Sequence, residues 1–375
     1  IRRAIVLAPA SVVRQWQFEL REKFNLNWPI YDGSSLLWYD SPYYHDGQER
    51  RPIKAVARTE WHREPFVLVS HNLMRREERR PEILSQAERY DLVIVDEAHH
   101  ARRKGGATAK KYEPNRMLRL LSGLSSRTDG LVLLTATPLQ VGPVEVWDLL
   151  KTLGIPQSWS ESRFLEYFEI LAEDNPEVEK MRQVATMFVD LENMYGASEE
   201  EALAKRYAGD DVFLVRNVLD AIHSTSIIPL RELSNAERRL FKKILRGESL
   251  VKRLVSRNTR ELLRKYYAAG MISTQIPNRI VQDDFVTLSP EEREVYDAVE
   301  KYITTTYNNA SPEAKTAIGF VMTVYRKRLA SSFAALRRTL EKRLAGLQAQ
   351  DGSQAAVDLP FFDEDYDEED SSIPS

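Results

Sequence analysis

Four short apolar runs rich in β-branched residues constrain the fold of this 375-residue chain more than any other feature. They are residues 4–8 (AIVLA), 66–70 (FVLVS), 92–96 (LVIVD) and 131–135 (LVLLT). None alternates between apolar and polar residues, which is typical of parallel strands whose two faces are both covered by helices. Residues 12–24 have helical periodicity between two of these runs. The pattern predicts an open α/β sheet over residues 1–156, with ligands bound where the strands end.

Most of the remaining chain is predicted to be helical. Residues 157–277 carry helical periodicity with dense charge and are predicted to form a helical insertion. Residues 278–350 are predicted to begin as an extended segment and to continue as helices, the first of them started by a Ser289 cap followed by Pro290. The acidic tail, residues 351–375, is predicted to be disordered.

Composition excludes several classes of protein. The chain contains no cysteine, which excludes disulfides, thiolate metal sites and cysteine nucleophiles and is consistent with a cytoplasmic location. No run of eighteen apolar residues occurs, so no membrane segment is predicted. The net charge of -3 is unevenly distributed, because residues 363–370 (DEDYDEED) are almost wholly acidic. Net charge therefore says little about partners.

The strongest chemical signal is residues 93–100 (VIVDEAHH), in which a buried strand ends in the adjacent carboxylates of Asp96 and Glu97. Mg²⁺ is a hard ion that takes one or two protein carboxylates beside substrate phosphates, and a second carboxylate can orient or deprotonate an attacking water. A bare Asp-Glu pair would more often be a solvated acidic turn. The complete DEAHH element favours a metal and nucleotide site over that alternative.

A second signal is residues 133–138 (LLTATP), about forty residues further on and at the end of the next predicted strand. The pair resembles motifs II and III of superfamily 2 helicases and translocases. That resemblance implies that Asp96 binds Mg²⁺ and that Glu97 is the catalytic carboxylate that activates water. It also implies three residues that couple the nucleotide state to nucleic-acid binding: His99, Thr135 and Thr137.

Further matches narrow the resemblance to the Snf2 branch of that superfamily. In chain order they are residues 8–19 (APASVVRQWQFE), 69–73 (VSHNL), 257–260 (RNTR), 276–279 (IPNR), and 288–290 (LSP) with Tyr296. The first two resemble motifs Ia and Ib, and the others follow the order in which lobe 1 of a Snf2 motor leads into lobe 2. The nucleic-acid-binding residues implied are Pro9, Gln15, Ser70, Arg257 and Arg260.

The RNTR and TATP elements most resemble the bacterial RapA-like branch, with phage-defence Snf2 ATPases as a close alternative. The fold implied is a RecA-like parallel-sheet lobe, lacking its P-loop strand, followed by a helical subdomain. The resemblance implies ATP and Mg²⁺ as cofactors and double-stranded DNA and a second motor lobe as partners. RNA polymerase or defence-system proteins are further partners that it suggests.

The sequence departs from the family pattern in the loop that binds the nucleotide phosphates. No G-x-x-x-x-G-K-[ST] element occurs in the sequence, and we expect that loop to lie upstream of Ile1 and the second lobe to follow the acidic tail. The chain by itself is therefore expected to be inactive as an ATPase. Two alternatives remain: a strand-separating superfamily 2 helicase or restriction-type motor, and a degenerate module that binds DNA or protein without catalysis.

Two basic groups are candidate phosphate-binding surfaces, although each could equally be a solvated helix face. The first group is Lys252, Arg253, Arg257, Arg260, Arg264 and Lys265, and the second is Arg326, Lys327, Arg328, Arg337 and Arg338. Trp16 lies on the predicted first helix, and we expect it to pack in the core and not to contact DNA. A zinc site is excluded, because no cysteine is present and no third ligand has a suitable spacing.

Overall fold

The computed structural model comprises two compact units, Ile1–Asn258 and Thr259–Ser375. It describes residues 1–39, 53–103, 113–135, 143–257, 260–271, 273–274, 276–278, 280, 282, 287–309, 311 and 315–349. The first unit contains a sheet and a helical region, and the described residues of the second unit form helices and connecting segments.

The first unit is built on a mixed sheet in which parallel pairing predominates. Its strands are β1 (Ala4–Ala8), β2 (Ile30–Tyr31), β3 (Ser35–Leu37), β4 (Ile53–Ala55), β5 (Phe66–Ser70), β6 (Tyr90–Val95) and β7 (Thr128–Leu133). Their order in the sheet is β4-β3-β2-β5-β1-β6-β7. From β2 to β7 every pairing is parallel, whereas β3 pairs antiparallel with both β2 and β4.

The four predicted strands are confirmed. β1 and β5 have the predicted bounds, while β6 and β7 both start and end earlier than predicted. All five residues of β1 are buried between β5 and β6, as expected for a strand covered on both faces. β7 is the last strand of the sheet in the described residues, and it leaves Val132 40% exposed.

The three short strands β2, β3 and β4 were not predicted. Gln17, on α1 (Val13–Phe24), is buried, and its amide donates to the carbonyl oxygens of Trp28 at 3.0 Å and Leu37 at 2.8 Å. The β2–β3 turn is formed by Asp32, whose Oδ1 accepts from the backbone N–H groups of Ser34 and Ser35, both at 2.8 Å. This edge of the sheet is thus held by side-chain contacts that apolar periodicity does not reveal.

The helices after α1 belong to both units. They are α2 (His71–Met74), α3 (Arg116–Ser125), α4 (Pro143–Thr152), α5 (Glu161–Ala172), α6 (Val178–Tyr195), α7 (Glu200–Leu203), α8 (Val212–His223), α9 (Ile228–Glu232), α10 (Asn235–Gly247), α11 (Leu250–Leu254), α12 (Arg260–Ala268), α13 (Pro290–Asn308), α14 (Lys315–Ser331) and α15 (Phe333–Ala349). The predicted fold class, a parallel sheet followed by a helical region, is confirmed.

The helical region of the first unit has its own core, separate from the cluster beneath the sheet. Trp159 and Tyr167 are fully buried in it, and both satisfy their polar atoms. The Trp159 indole donates to the Met187 carbonyl at 2.9 Å, and the Tyr167 hydroxyl donates to the Leu245 carbonyl at 2.8 Å. Burying these large side chains stabilises the helices without leaving unpaired polar groups.

The second unit starts a helix where the sequence predicts one. Ser289 caps α13 by accepting from the Glu292 backbone N–H, and the Glu292 carboxylate accepts in return from the Ser289 N–H. Pro290 occupies the first helical turn, where it needs no hydrogen-bonded N–H. Most of the predicted extended segment 278–287 and the whole predicted tail 351–375 lie outside the described residues.

A buried ion cluster connects the segment after the DEAHH element to the helical region. The Arg103 guanidinium donates to both Asp148 oxygens on α4, at 2.7 and 2.9 Å, and to both Glu161 oxygens on α5, at 3.0 and 2.6 Å. The side chain of Asp148 is 0% exposed and that of Arg103 is 6% exposed. Two bidentate contacts therefore fix Arg103 against two helices.

We expect Arg103→Met to destabilise the first unit by about 3–5 kcal/mol, because it leaves the buried Asp148 charge without its partner. Chemical denaturation followed by tryptophan fluorescence measures this, since all six tryptophans lie in Ile1–Asn258. Combining Arg103→Met with Asp148→Leu removes both buried charges and should restore most of the loss. A single variant as stable as the wild type would contradict the prediction.

The pairing of His223 with Glu192 makes the α6–α8 packing pH-dependent. The His223 Nε2 lies 2.6 Å from the Glu192 Oε2, and this hydrogen bond raises the pKa of His223 above its ordinary value. Stabilisation by the pair should be complete below the unfolded pKa of about 6.5 and should be lost as the pH rises through the raised folded pKa. Denaturation midpoints between about pH 5.5 and 8.5 test this. In His223→Gln that pH dependence should be reduced, and an equal dependence in both proteins would refute the assignment.

Candidate nucleotide and metal site

The carboxyl ends of β1, β6 and β7 meet at one edge of the sheet, and backbone hydrogen bonds extend the ladder beyond the strands. The Asp96 N–H donates to the Leu7 carbonyl at 2.8 Å, and the Leu134 N–H donates to the Val95 carbonyl at 2.8 Å. The Ala98 N–H then donates to the Leu134 carbonyl at 2.9 Å. The segment that carries the two carboxylates is thus fixed on both sides.

Glu97 has a left-handed backbone conformation, with φ 50° and ψ 45°. For a residue with a Cβ this conformation costs about 1–2 kcal/mol, and such strain is often found at functional sites. The left-handed residue reverses the chain between β6 and the short helical turn Ala98–His100. This backbone conformation therefore determines the direction of the Glu97 side chain at the end of the strand.

Both oxygens of Asp96 accept hydrogen bonds. Oδ1 accepts from the Glu97 backbone N–H at 2.9 Å, and Oδ2 accepts from the indole Nε1 of Trp16 at 2.8 Å. Trp16 is half-buried and packs against the cluster of Val6, Val13 and Leu68, so its predicted core packing is confirmed. Its hydrogen bond to Asp96 was not predicted, because nothing in the sequence pattern relates two residues eighty positions apart.

His99 connects the two sequence elements that resemble motifs II and III, residues 93–100 and residues 133–138. Its Nδ1 is 3.1 Å from the Thr135 Oγ1 and 3.1 Å from the Glu97 Oε2. The structure thereby brings together Asp96, Glu97, His99 and Thr135, all of which the sequence predicted. The remaining member of that set, Thr137, lies outside the described residues.

The donor set fits Mg²⁺. Asp96 and Glu97 supply hard carboxylate oxygens, and the Glu97 Oε2 accepts no well-aligned hydrogen bond in the described structure, although the His99 Nδ1 lies 3.1 Å away. No group of three His, Cys, Asp or Glu side chains that could hold a metal occurs among the described residues. One or two carboxylates are what Mg²⁺ uses when phosphates and water complete its coordination.

Two further residues support this loop and were missed by the sequence reasoning. His71 is buried beneath it, with its ring 6.1 Å from that of His100, and burial lowers the pKa of His71 to about 3. His71 is therefore neutral and adds no charge beside the carboxylates.

Asn115 donates to the His100 carbonyl at 2.7 Å while its Oδ1 caps α3. An Asn before a helical run is a capping signal that could have identified it.

The predicted nucleic-acid-binding residues occupy different settings. Pro9 is buried, and its carbonyl oxygen accepts from the N–H groups that begin α1. Gln15 is exposed on α1, and the Ser70 hydroxyl accepts from the Asn72 N–H and so caps α2. Arg257 and Arg260 are both exposed, and Arg257 belongs to the first unit and Arg260 to the second.

Part of the basic character found in the sequence is used inside the protein. Arg253 donates to the carbonyl oxygens of Glu248, at 3.2 Å, and Gly196. Arg326 pairs with Glu300 at 2.8 Å, and Arg337 pairs with Glu341 at 2.8 Å. The contacts of Arg253 favour the structural alternative for that residue, whereas the side chains of Arg326 and Arg337 stay 54% and 79% exposed beside their partners. Separately, none of the helices in the described residues is long and apolar enough to cross a membrane.

Comparison with known proteins gives one family match along most of the chain. The SNF2-related domain matches residues 2–340. The RNA polymerase-associated protein RapA of Vibrio vulnificus is 30% identical over 166 residues, which is 44% of this chain and 15% of that protein. RapA of Sodalis glossinidius is 31% identical over 144 residues, covering 37% of this chain and 12% of that protein. The aligned region is thus less than a fifth of the length of these relatives.

Among solved structures, the Sulfolobus solfataricus SWI2/SNF2 ATPase core in complex with dsDNA is similar to this chain. It is 15% identical, and the match covers 93% of this chain and 54% of that chain. The TM-score is 0.34, which is too low to establish a common arrangement of the two chains.

Proposed function

The chain belongs to the SNF2-related domain family, and on that premise we propose that it is part of a motor that hydrolyses Mg-ATP and moves along double-stranded DNA. One observation carries the proposal: the ends of β6 and β7 bring Asp96, Glu97, His99 and Thr135 together at the carboxyl edge of a parallel sheet. Open α/β sheets bind their ligands at this edge.

Each of these residues has a distinct task in the proposed reaction. Asp96 would hold Mg²⁺, which supplies charge neutralisation for the phosphates when bound. Glu97 would accept the proton of the attacking water, because its carboxylate keeps lone pairs that no hydrogen bond in the described structure uses. His99, within 3.1 Å of both Glu97 and Thr135, links the catalytic carboxylate to the end of the neighbouring strand. Thr137 is proposed to extend this coupling.

Residues 1–375 are proposed to be inactive by themselves. Phosphoryl transfer depends on positioning, and the sequence contains no G-x-x-x-x-G-K-[ST] loop to hold the phosphates. A second motor lobe that contributes an arginine to the site is part of the same proposal. The resemblance to RapA supports association with RNA polymerase in the cytoplasm as one biological setting, and a phage-defence system is the other.

On the DNA side, we propose that polar groups contact the phosphate backbone, of which all but the half-buried Ser70 are exposed. Gln15 on α1, Ser70 at the start of α2, and Arg257 and Arg260 are the candidates. Pro9 would contribute by shaping the turn before α1, since it is buried. Contacts of this kind do not distinguish base sequences, and a motor that tracks the backbone needs none that do.

In the complete product of the gene, Glu97→Gln should lower DNA-stimulated phosphate release at least about 100-fold, because an amide cannot accept the proton of water. Nucleotide binding should persist, since the side-chain shape is retained. Triplex displacement should be lost in parallel with phosphate release. Residues 1–375 alone provide the inactive reference. Phosphate release by Glu97→Gln near the wild-type rate would show that another group is the catalytic base.

The same assays separate translocation from strand separation. Triplex displacement without unwinding of a forked duplex is expected for the proposed motor. Efficient fork unwinding with no triplex displacement would instead favour the strand-separating helicase, and the absence of any turnover in the complete gene product would favour a non-catalytic module.

Residues 1–375 should bind DNA weakly, without sequence preference and with steep salt dependence. Replacing both Arg257 and Arg260 with Ala should reduce the slope of log K against log salt by about 2, about one unit for each lost phosphate contact. Arg216→Ala is the control, because Arg216 lies outside both basic groups and pairs with Glu200, and it should leave the slope unchanged. Fluorescence anisotropy between 50 and 200 mM salt, roughly the range over which such contacts weaken, measures the slopes. Binding that does not vary with salt would contradict the assignment.

A further inference from the structure

The indole of Trp16 joins the first helix to the carboxylate proposed to hold the metal. Its Nε1 lies 2.8 Å from the Asp96 Oδ2, a normal hydrogen-bond length. The indole N–H can only donate, so the contact depends on an accepting oxygen on Asp96. Trp16 is held in place from the other side by packing in the cluster with Val6 and Val13. The donor is thus fixed before any ligand binds.

The two hydrogen bonds to Asp96 come from groups with little freedom. The Glu97 N–H belongs to a backbone fixed by ladder hydrogen bonds on both sides, and the Trp16 N–H belongs to a packed ring. Together they restrain both torsion angles of the Asp96 side chain. Each carboxylate oxygen has a second lone pair that these bonds leave free to meet a cation.

We propose that Trp16 is a positioning residue that holds the Asp96 carboxylate in the orientation that receives Mg²⁺. The inference rests on the proposed function, because it takes Asp96 as the metal-binding carboxylate. Donors that orient a metal ligand from behind typically contribute 10- to 100-fold to metal affinity. Trp16 therefore does more than fill space on the sheet, and the N–H group, not the ring, is the part that matters.

Trp28 offers a matched comparison within the same cluster. It is half-buried like Trp16 and packs against the same residues, with its ring 5.1 Å from that of Phe66. The structure records no hydrogen bond from the Trp28 indole to a carboxylate within the described residues. Replacing either tryptophan with Phe removes a similar amount of ring, but only Trp16→Phe removes a donor from Asp96.

The first experiment tests the contact with residues 1–375 labelled with ¹⁵N at the tryptophan indoles. Six indole signals are expected, and the one missing in Trp16→Phe is that of Trp16. Asp96→Ala should shift this signal and leave that of Trp159, whose indole donates to the Met187 carbonyl, unchanged. Asp96→Leu, which also lacks an accepting oxygen, provides the same readout if the alanine variant does not fold. An unmoved Trp16 signal in a folded Asp96 variant would overturn the proposal.

The second experiment measures the affinity of the complete product of the gene for Mn²⁺, used as a paramagnetic probe in place of Mg²⁺, by the electron paramagnetic resonance of the free ion. Nucleotide is present in every sample, so that its phosphates can complete the coordination. Asp96→Ala should abolish the site, Trp16→Phe should weaken it about tenfold, and Trp28→Phe should leave it within about twofold of the wild type. Thermal midpoints should be similar for the two tryptophan variants. Added Mn²⁺ should also broaden the wild-type Trp16 signal before the other indole signals.

Failure of this inference and failure of the proposed function give different results. Wild-type binding that depends on Asp96 but is equally tight in Trp16→Phe would overturn the positioning role alone. Wild-type protein that has no Mn²⁺ site dependent on Asp96 would overturn the metal assignment, and the positioning role with it. Loss of the site in Asp96→Ala, with an affinity about tenfold weaker in Trp16→Phe but not in Trp28→Phe, would support both.

Discussion

The parallel pairing of β6 between β1 and β7 is the constraint on which the rest of the site depends. Both neighbours continue to hydrogen-bond the chain after β6 has ended, through the carbonyl of Leu7 and the backbone of Leu134. A segment fixed on two sides can sustain the left-handed conformation of Glu97, because the ladder bonds offset the cost of that conformation. The buried apolar residues of the strands stabilise the pairing and so indirectly hold two carboxylates at the sheet edge.

The sequence predicted those parts of the fold that depend on long apolar runs and on local capping. β1 and β5 were found with their bounds, and α13 was found from Ser289 and Pro290. The strands β2, β3 and β4 were missed because runs of two or three residues carry no periodicity. The buried amide of Gln17, which donates to the Leu37 carbonyl of β3, is a contact that no sequence pattern reveals.

For the candidate site, resemblance supplied the grouping of Asp96, Glu97, His99 and Thr135, which the structure brings together. The contact of Trp16 with Asp96 and the burial of His71 could not be predicted, because both arise from the packing of segments distant in sequence. For a related reason, the number of Lys and Arg residues in a segment was a poor guide to its phosphate-binding surface. Arg253 donates to a carbonyl oxygen and Arg326 pairs with Glu300 at the surface, and only the fold determines these contacts.

The outer edge of β7 has a practical consequence for the isolated chain. In the described residues no strand pairs with this edge, and Val132 and Leu134 on and beside it are 40% and 36% exposed. Unpaired backbone groups flanked by apolar side chains are a template for the addition of a strand from another molecule. Concentrated solutions of residues 1–375 should therefore self-associate through β7. A charged residue in place of Val132 is a simple way to keep the protein monodisperse for crystallisation.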